Sequence, residues 1–316
     1  MSVLIAVLDD YQQVAAACAD WERIPDAEVT FFADHLDGLD GVAERLQGFD
    51  IIGIMRERTP FPAALLERLP NLRLLVTTGR HNAAVDVAAA TALGITVCGT
   101  PSPGHPTAEL AFGLILDLAR GVTDHVVSVR EGSWQVGLGR DLRGATLGLL
   151  GLGNLGSRVA GFGLAFGMQV FAWSENLTGE RAAEVGVRAV SKEELFARSD
   201  FVSVHLRLGP RTVGLVGAAE LALMKPDAYL VNTSRAAIVD EDALVAALEE
   251  GRIAGAALDV FAREPLPATH RLRSTPRLLT TPHIGYVTRE TYQVFFAGMV
   301  EAILAFLEGE PVGVIG

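Results

Sequence analysis

Cysteine is nearly absent. The 316 residues contain only Cys18 and Cys98, far apart and in no metal-ligand spacing, so neither a disulfide framework nor a metal centre is expected. A reducing compartment, the cytoplasm by default, fits that usage. Basic charge is also in short supply. With 38 acidic against 26 basic residues and a formal charge of −12, the surface should repel phosphate backbones and anionic lipid, so neither nucleic acid nor a membrane is an expected partner. Long apolar runs are missing too. The richest, "AELAFGLILDL" from Ala108, carries Glu109 and Asp117 and falls short of the roughly 20 residues a bilayer span needs. The opening "SVLIAVLDD" lacks the basic flank of a signal peptide and reads as a first core strand. No repeat, low-complexity tract or flexible Gly/Ser linker interrupts the chain.

What remains is a chain that is 50% hydrophobic and long enough to form two domains. Short apolar runs alternate with helical patterns. "VLIAVLD", "EVTFFAD", "DIIGIMR", "LRLLVTTG" and "GITVCGT" read as strands, with "PAALLERLP" and "VDVAAATALG" as helices between them. A second series, "ATLGLLGLG", "MQVFAWS", "FVSVHL", "AYLVNTS", "IAGAALDVF" and "LLTTPHIG", repeats the scheme. Such alternation predicts two α/β units built on parallel sheets. Between them the pattern predicts a long helix from Pro106 through "VTDHVVSVREG", and a last helix, "TRETYQVFFAGMVEAILAFLEGE", ends at Gly309. If that last helix returns to the first domain, the first domain is discontinuous.

Residues 151–157, "GLGNLGS", place Gly151, Gly153 and Gly156 between a strand pattern and a helix pattern. Three glycines in that register permit a tight turn and close approach of a pyrophosphate to the helix amino terminus. At the tip of the next strand a carboxylate would bind the adenosine ribose and repel a 2′-phosphate. This chain offers Ser174, which discriminates poorly, followed by Glu175, whose charge disfavours NADP. The balance leans to NAD, with NADP open.

In open parallel sheets the ligand crevice lies beyond the carboxyl ends of the strands. That rule selects Thr78 and Gly79, Asn232 to Arg235, Asp259 and His283. An arginine that forks onto a carboxylate, an imidazole that exchanges protons near neutral pH, and a nearby acid, Glu264, form the minimum set for handling a 2-oxo acid. His35, His125 and His270 read as solvated loop or helix residues.

At this point the chain resembles the D-isomer-specific 2-hydroxyacid dehydrogenases, the group containing phosphoglycerate dehydrogenase and the glyoxylate and hydroxypyruvate reductases. The likeness is carried by "GLGNLG" at 151, "HLRLGPRT" at 205, "LMKPDAYLVNTSRAAIVDEDALVAAL" at 223, "GAALDVFAREPLP" at 255 and "TPHIGYVT" at 281. The resemblance implies a flavodoxin-like substrate domain over residues 1–101 and 287–316 and a Rossmann-type nucleotide domain over 102–286. It implies hydride transfer between a nicotinamide cofactor and a small 2-oxo or D-2-hydroxy acid. Arg235 then binds the substrate, His283 exchanges the proton and Glu264 is its carboxylate partner. Asp259 stands near the nicotinamide, and Asn154 and Leu155 meet the pyrophosphate. Ser174 meets the ribose, while Leu206, Thr212, Thr233, Ser234 and Gly285 line the rest of the cofactor site. The loop of Thr78, Gly79 and Arg80 contributes to substrate binding, Gly79 through its backbone NH. A homodimer is implied, formed through the helix from Pro106 and the following "VREGSWQVGLGRDLRG".

Four departures from the family pattern stand out. Ala236 replaces the usual glycine after the arginine. Arg207 replaces a proline, placing a cation near the expected adenosine end. Tyr286 replaces a small residue after His283. Arg80 and His81 replace small residues in the first-domain loop, and a second cation there favours a substrate with two acidic groups. A second reading, a nicotinamide-sensing regulatory protein of the same fold without turnover, stays open at this level. Formate dehydrogenases lie further off, because this chain lacks their long extensions.

Overall fold

Short, apolar strands bounded by glycine and proline dictate the architecture, and the computed structural model describes it for residues 2–316. The chain divides into two units, Met1–Pro103 with Val287–Gly316, and Gly104–Tyr286.

In the first unit five strands, β1 (Val3–Val7), β2 (Ala27–Phe31), β3 (Ile51–Ile54), β4 (Leu74–Thr77) and β5 (Thr96–Gly99), pair in parallel in the order β2-β1-β3-β4-β5. This is the flavodoxin-like order, with its switch point between β1 and β3. β3 and β4 are buried along their whole length, as strands covered on both faces must be. The last helix, Arg289–Leu307, belongs to this unit. Its 19 residues, with a mean hydropathy of 1.3, meet the length and composition of a bilayer span, contrary to the expectation that no segment would. Packing decides what the helix does. Tyr292, Phe295, Phe296, Met299, Val300 and Ile303 are buried, the helix lies against β4 and β5, and the Met299 sulfur fills the place where Gly53 has no side chain. Each such side chain contributes about 2 kcal/mol by burial, so this is a core helix.

In the second unit the order is β12-β11-β10-β9-β6-β7-β8, all parallel: β6 (Thr146–Leu150), β7 (Gln169–Trp173), β8 (Arg188–Ala189), β9 (Phe201–Val204), β10 (Tyr229–Asn232), β11 (Gly255–Leu258) and β12 (Leu278–Thr280). The strand order reverses between β6 and β9, the Rossmann switch point. The two-residue β8 gave no pattern to read.

The long helix expected from Pro106 is two helices, Pro106–Arg120 and Val122–Arg130. Gly121 at φ +61 adopts the left-handed conformation that ends a helix. The first piece buries Ala108, Ala111, Phe112, Leu114 and Ile115 and packs on β10 and β11. Beyond the break, Val126, Val127, Val129, Trp134 and Leu138 are exposed.

At the amino ends of β6 and β9, Asp200 accepts from Thr146 N at 2.7 Å and pairs with Lys225 and Arg140, each at 3.0 Å. That end of the sheet is a structural anchor.

Candidate active site

The sequence-selected residues of the second unit stand at the carboxyl ends of six strands. After β6, Gly151 sits at φ +100, and a side chain there would meet the His205 carbonyl at 2.7 Å. A side chain on Gly156 would strike the Gly151 carbonyl. Both positions therefore require glycine. Around Gly153 the space is open. Among the described residues no side chain caps the helix Asn154–Ala165 that begins there, so its first N–H groups and its dipole are presented to an anion. The Thr233 hydroxyl is buried without a hydrogen-bond partner, and such a group normally has one. An open glycine cradle, an uncapped helix start and an orphaned hydroxyl on one rim fit a dinucleotide.

After β7, Ser174 is half-buried and Glu175 exposed. After β9, Leu206 is half-buried and Arg207 exposed. Thr212 donates to the Arg207 carbonyl at 2.8 Å and accepts from Gly209 N at 2.9 Å, shaping that loop. His205 was read only as part of a motif. Part of it reaches the surface, yet the protein packed around its ring penalises the charged form and lowers its pKa from 6.5 to about 4. Its Nε2 lies 2.9 Å from the Ser203 hydroxyl.

That neutral ring links stability to pH. Above pH 6.5 neither folded nor unfolded chain holds the proton. Below it the unfolded chain takes up a proton that the folded one refuses until about pH 4, so stability falls on acidification. Urea titrations at pH 7.5 and pH 4.5 should show wild type losing about 2 kcal/mol more than His205→Asn over that interval. Equal losses would remove His205 from the acid response.

After β10, Asn232 holds a tight turn: its amide donates to the Arg235 carbonyl at 2.9 Å and its Oδ1 accepts from Ser234 N at 3.0 Å. Arg235 is half-buried, with Nη1 donating to the Ser234 carbonyl at 2.8 Å. Ser234 donates its hydroxyl to the Leu206 carbonyl at 2.5 Å. Ala236 opens a 3-10 turn and is not among the positive-φ residues, so the methyl that replaces a glycine is accommodated.

The carboxyl ends of β11 and β12 form the acid–base arm. Glu264 accepts from Phe261 N at 2.8 Å and from His283 Nδ1–H at 2.6 Å. His283 has φ +51, a left-handed backbone uncommon for a residue with a side chain. Asp259 braces the loop around it. Fully buried, it accepts from the Thr281 hydroxyl at 2.6 Å, Ile284 N at 2.8 Å and Gly285 N at 2.9 Å. Burial pushes its carboxyl up from the usual range, against the pull of those hydrogen bonds. Its visible work is to clamp the histidine loop. Tyr286 stands edge-on to the His283 ring, centroids 5.4 Å apart at 73°.

In the first unit, the Gly79 amide donates to the Thr100 hydroxyl at 2.9 Å, so the backbone donor expected to hold a carboxylate is already engaged. Thr78 accepts from Arg56 N at 2.8 Å, and Arg56 Nη1 donates to the Thr78 carbonyl at 3.1 Å. Arg56, at φ +50, lies against Gly79 and is the loop cation the sequence did not single out. Arg80 faces instead a cavity of about 630 Å³ shared with His81, Thr100, Glu301 and the tail from Val312. His35 is not solvated. Its side chain is 12% exposed and Nδ1 sits 3.0 Å from Asp9 Oδ1, a hydrogen bond that raises its pKa.

Fold and rim together define a nicotinamide-dependent oxidoreductase. Residues 112–285 match the family model described as D-isomer specific 2-hydroxyacid dehydrogenase, NAD binding domain. A glyoxylate reductase of Aeropyrum pernix is 43% identical over 256 residues, covering 78% of this chain and 76% of that one. A D-3-phosphoglycerate dehydrogenase of Synechocystis is 37% identical over 82% of this chain, which spans only 47% of that longer protein. Among solved structures, a phosphoglycerate oxidoreductase from Vibrio cholerae superposes with a TM-score of 0.92 at 36% identity, over 98% of this chain and all of that one. The chain belongs to the D-isomer-specific 2-hydroxyacid dehydrogenase family. It is an oxidoreductase of 2-hydroxy and 2-oxo acids with NAD as cofactor, and the sensor reading is not favoured.

Proposed function

We propose that this enzyme reduces a small 2-oxo acid of the glyoxylate or hydroxypyruvate type to the D-2-hydroxy acid, with NADH preferred over NADPH. The observation that carries the reading is the His283–Glu264 pair at 2.6 Å, at the same sheet edge as the Arg235 turn and the glycine loop. The relatives named glyoxylate reductase set the substrate class. We assign the Met1–Pro103 and Val287–Gly316 unit as the substrate domain.

When bound, a reduced nicotinamide would supply the hydride that C2 of the oxo acid accepts. Arg235 binds the carboxylate in a fork and stabilises the charge that grows on the carbonyl oxygen. His283, its Nδ1–H committed to Glu264, uses Nε2 to give that oxygen a proton, and in the oxidative direction takes it back. Glu264 fixes the tautomer and the ring plane, while Asp259 holds the loop that carries the ring. The Thr233 hydroxyl, Asn154, Leu155 and the loop glycines would hold the dinucleotide.

Cofactor preference rests on the end of β7. Glu175 repels a 2′-phosphate, residues 176–178 include no arginine, and Arg181 is paired with Glu184 at 2.5 Å. Arg207 pulls the other way. Steady-state rates for glyoxylate, hydroxypyruvate, pyruvate and oxaloacetate, run separately with NADH and NADPH, test the whole reading. The expected result is highest kcat/KM for the first two with at least tenfold preference for NADH. No oxidation of either cofactor across the panel would overturn it.

We also propose a homodimer seated on the exposed apolar segment from Val122 to Leu138, with mass by sedimentation twice the 33.5 kDa of the chain. A monomer at micromolar concentration would contradict this. We also propose a cytoplasmic setting, a reading supported by two free cysteines, one of them buried.

A further inference from the structure

The turn that carries Arg235 is tied by a side chain to the segment that floors the glycine loop. His205 continues β9, with its N donating to the Leu150 carbonyl at 2.8 Å. Its carbonyl and the Leu206 side chain occupy the space that a side chain on Gly151 would need, at 2.7 and 3.1 Å. The next carbonyl, of Leu206, accepts the Ser234 hydroxyl at 2.5 Å. Ser234 is in turn locked by Asn232 through its own N–H, and Asn232 also grips the Arg235 carbonyl. The Ser234 carbonyl receives Arg235 Nη1. The path from Gly151 to the guanidinium is therefore one packing contact, with Leu206, and two side-chain hydrogen bonds, one on each side of Ser234.

We infer that Ser234 is a positioning residue, whose hydroxyl sets the Arg235 guanidinium against the dinucleotide loop through Leu206. This rests on the reading above for the role of Arg235, and goes beyond it in assigning Ser234 work on the arginine where a cofactor contact was expected. The hydroxyl's one proton is committed to Leu206, so losing it leaves the pyrophosphate cradle intact and releases the turn. A strut of this kind makes substrate handling sensitive to Ser234 while dinucleotide affinity is not. Asn232 still holds the turn when the serine is gone, so the loss is partial.

The test is a double-mutant cycle. Ser234→Ala is compared with wild type, and Ser234→Ala/Arg235→Lys with Arg235→Lys alone, using glyoxylate and NADH, with NADH affinity read by fluorescence. The expected result is roughly a tenfold fall in kcat/KM for glyoxylate in the first comparison, less than twofold in the second, and an NADH Kd unchanged within twofold throughout. Ser234→Thr, which keeps the hydroxyl, should restore most of the loss. Equal losses in both backgrounds would show that Ser234 does not act through Arg235. A tenfold rise in NADH Kd with unchanged kcat would make it a cofactor contact and overturn the inference. If wild type turns over no glyoxylate while NADH binds, the substrate reading has failed. The strut is then judged on binding of oxalate, a non-reducible carboxylate, to the NADH complex, with the same four variants and the same expected ratios.

Discussion

His283→Asn should lower kcat for oxo-acid reduction by roughly a thousandfold, within the span of general acid–base contributions, and leave NADH affinity within threefold of wild type. Asparagine is the informative replacement. His283 occupies φ +51, a region asparagine tolerates better than alanine, valine or leucine, so the loop clamped by Asp259 keeps its path. What disappears is the ring that bonds Glu264 and exchanges a proton with the substrate oxygen. Steady-state turnover at saturating NADH, paired with fluorescence titration of NADH, separates the two effects. Turnover within tenfold of wild type would remove His283 from the chemistry, whatever its geometry with Glu264.

Arg235→Leu should cost more in kcat/KM, roughly 10²- to 10⁴-fold, than in NADH binding. Charge-assisted hydrogen bonds contribute about 1.5–3 kcal/mol each. A guanidinium offers two in parallel to a carboxylate, and each tenfold in rate corresponds to about 1.4 kcal/mol. Lysine supplies charge without the planar fork, so Arg235→Lys should recover part of the loss, about one to two orders of magnitude. The measurement is kcat/KM for the best 2-oxo acid of the panel across Arg, Lys and Leu. A leucine variant as active as the lysine variant would show that position 235 carries no electrostatic work. A collapse of NADH affinity in both would place Arg235 on the cofactor instead.

Much of this site could be read before any coordinates. Parallel sheets collect their functional groups at strand ends, and here strands are short and apolar while the residues that follow them are polar. Gly151 and Asp259 stand directly behind a strand and Arg235 and His283 three residues past one, and all four were selectable on that ground. Glu264 was selectable as a nearby acid, but its pairing with His283 needed the resemblance, because nothing local to "AREPLP" says that its carboxylate reaches a ring 19 residues on. What stayed hidden depended on direction and on partners chosen through space. Nothing in the sequence said that the Asp259 carboxylate, expected near the cofactor, also holds three groups of the histidine loop. The Gly79 amide was expected at the substrate, yet Thr100 holds it. His35 looked like a loop residue because its partner, Asp9, lies 26 positions away across β1 and β2. The helix break at Gly121 was written only as one glycine in an otherwise helical run, and its left-handed φ could not be told from a tolerated interior glycine.

The ion cluster at Asp200 lies at one end of the strands whose other ends carry the reacting groups. Substitutions that retune the oxo acid or the coenzyme fall among loops the cluster does not touch. Because of this division, a substitution at the reacting margin of the sheet leaves untouched the ionic bonds that tie its opposite margin together.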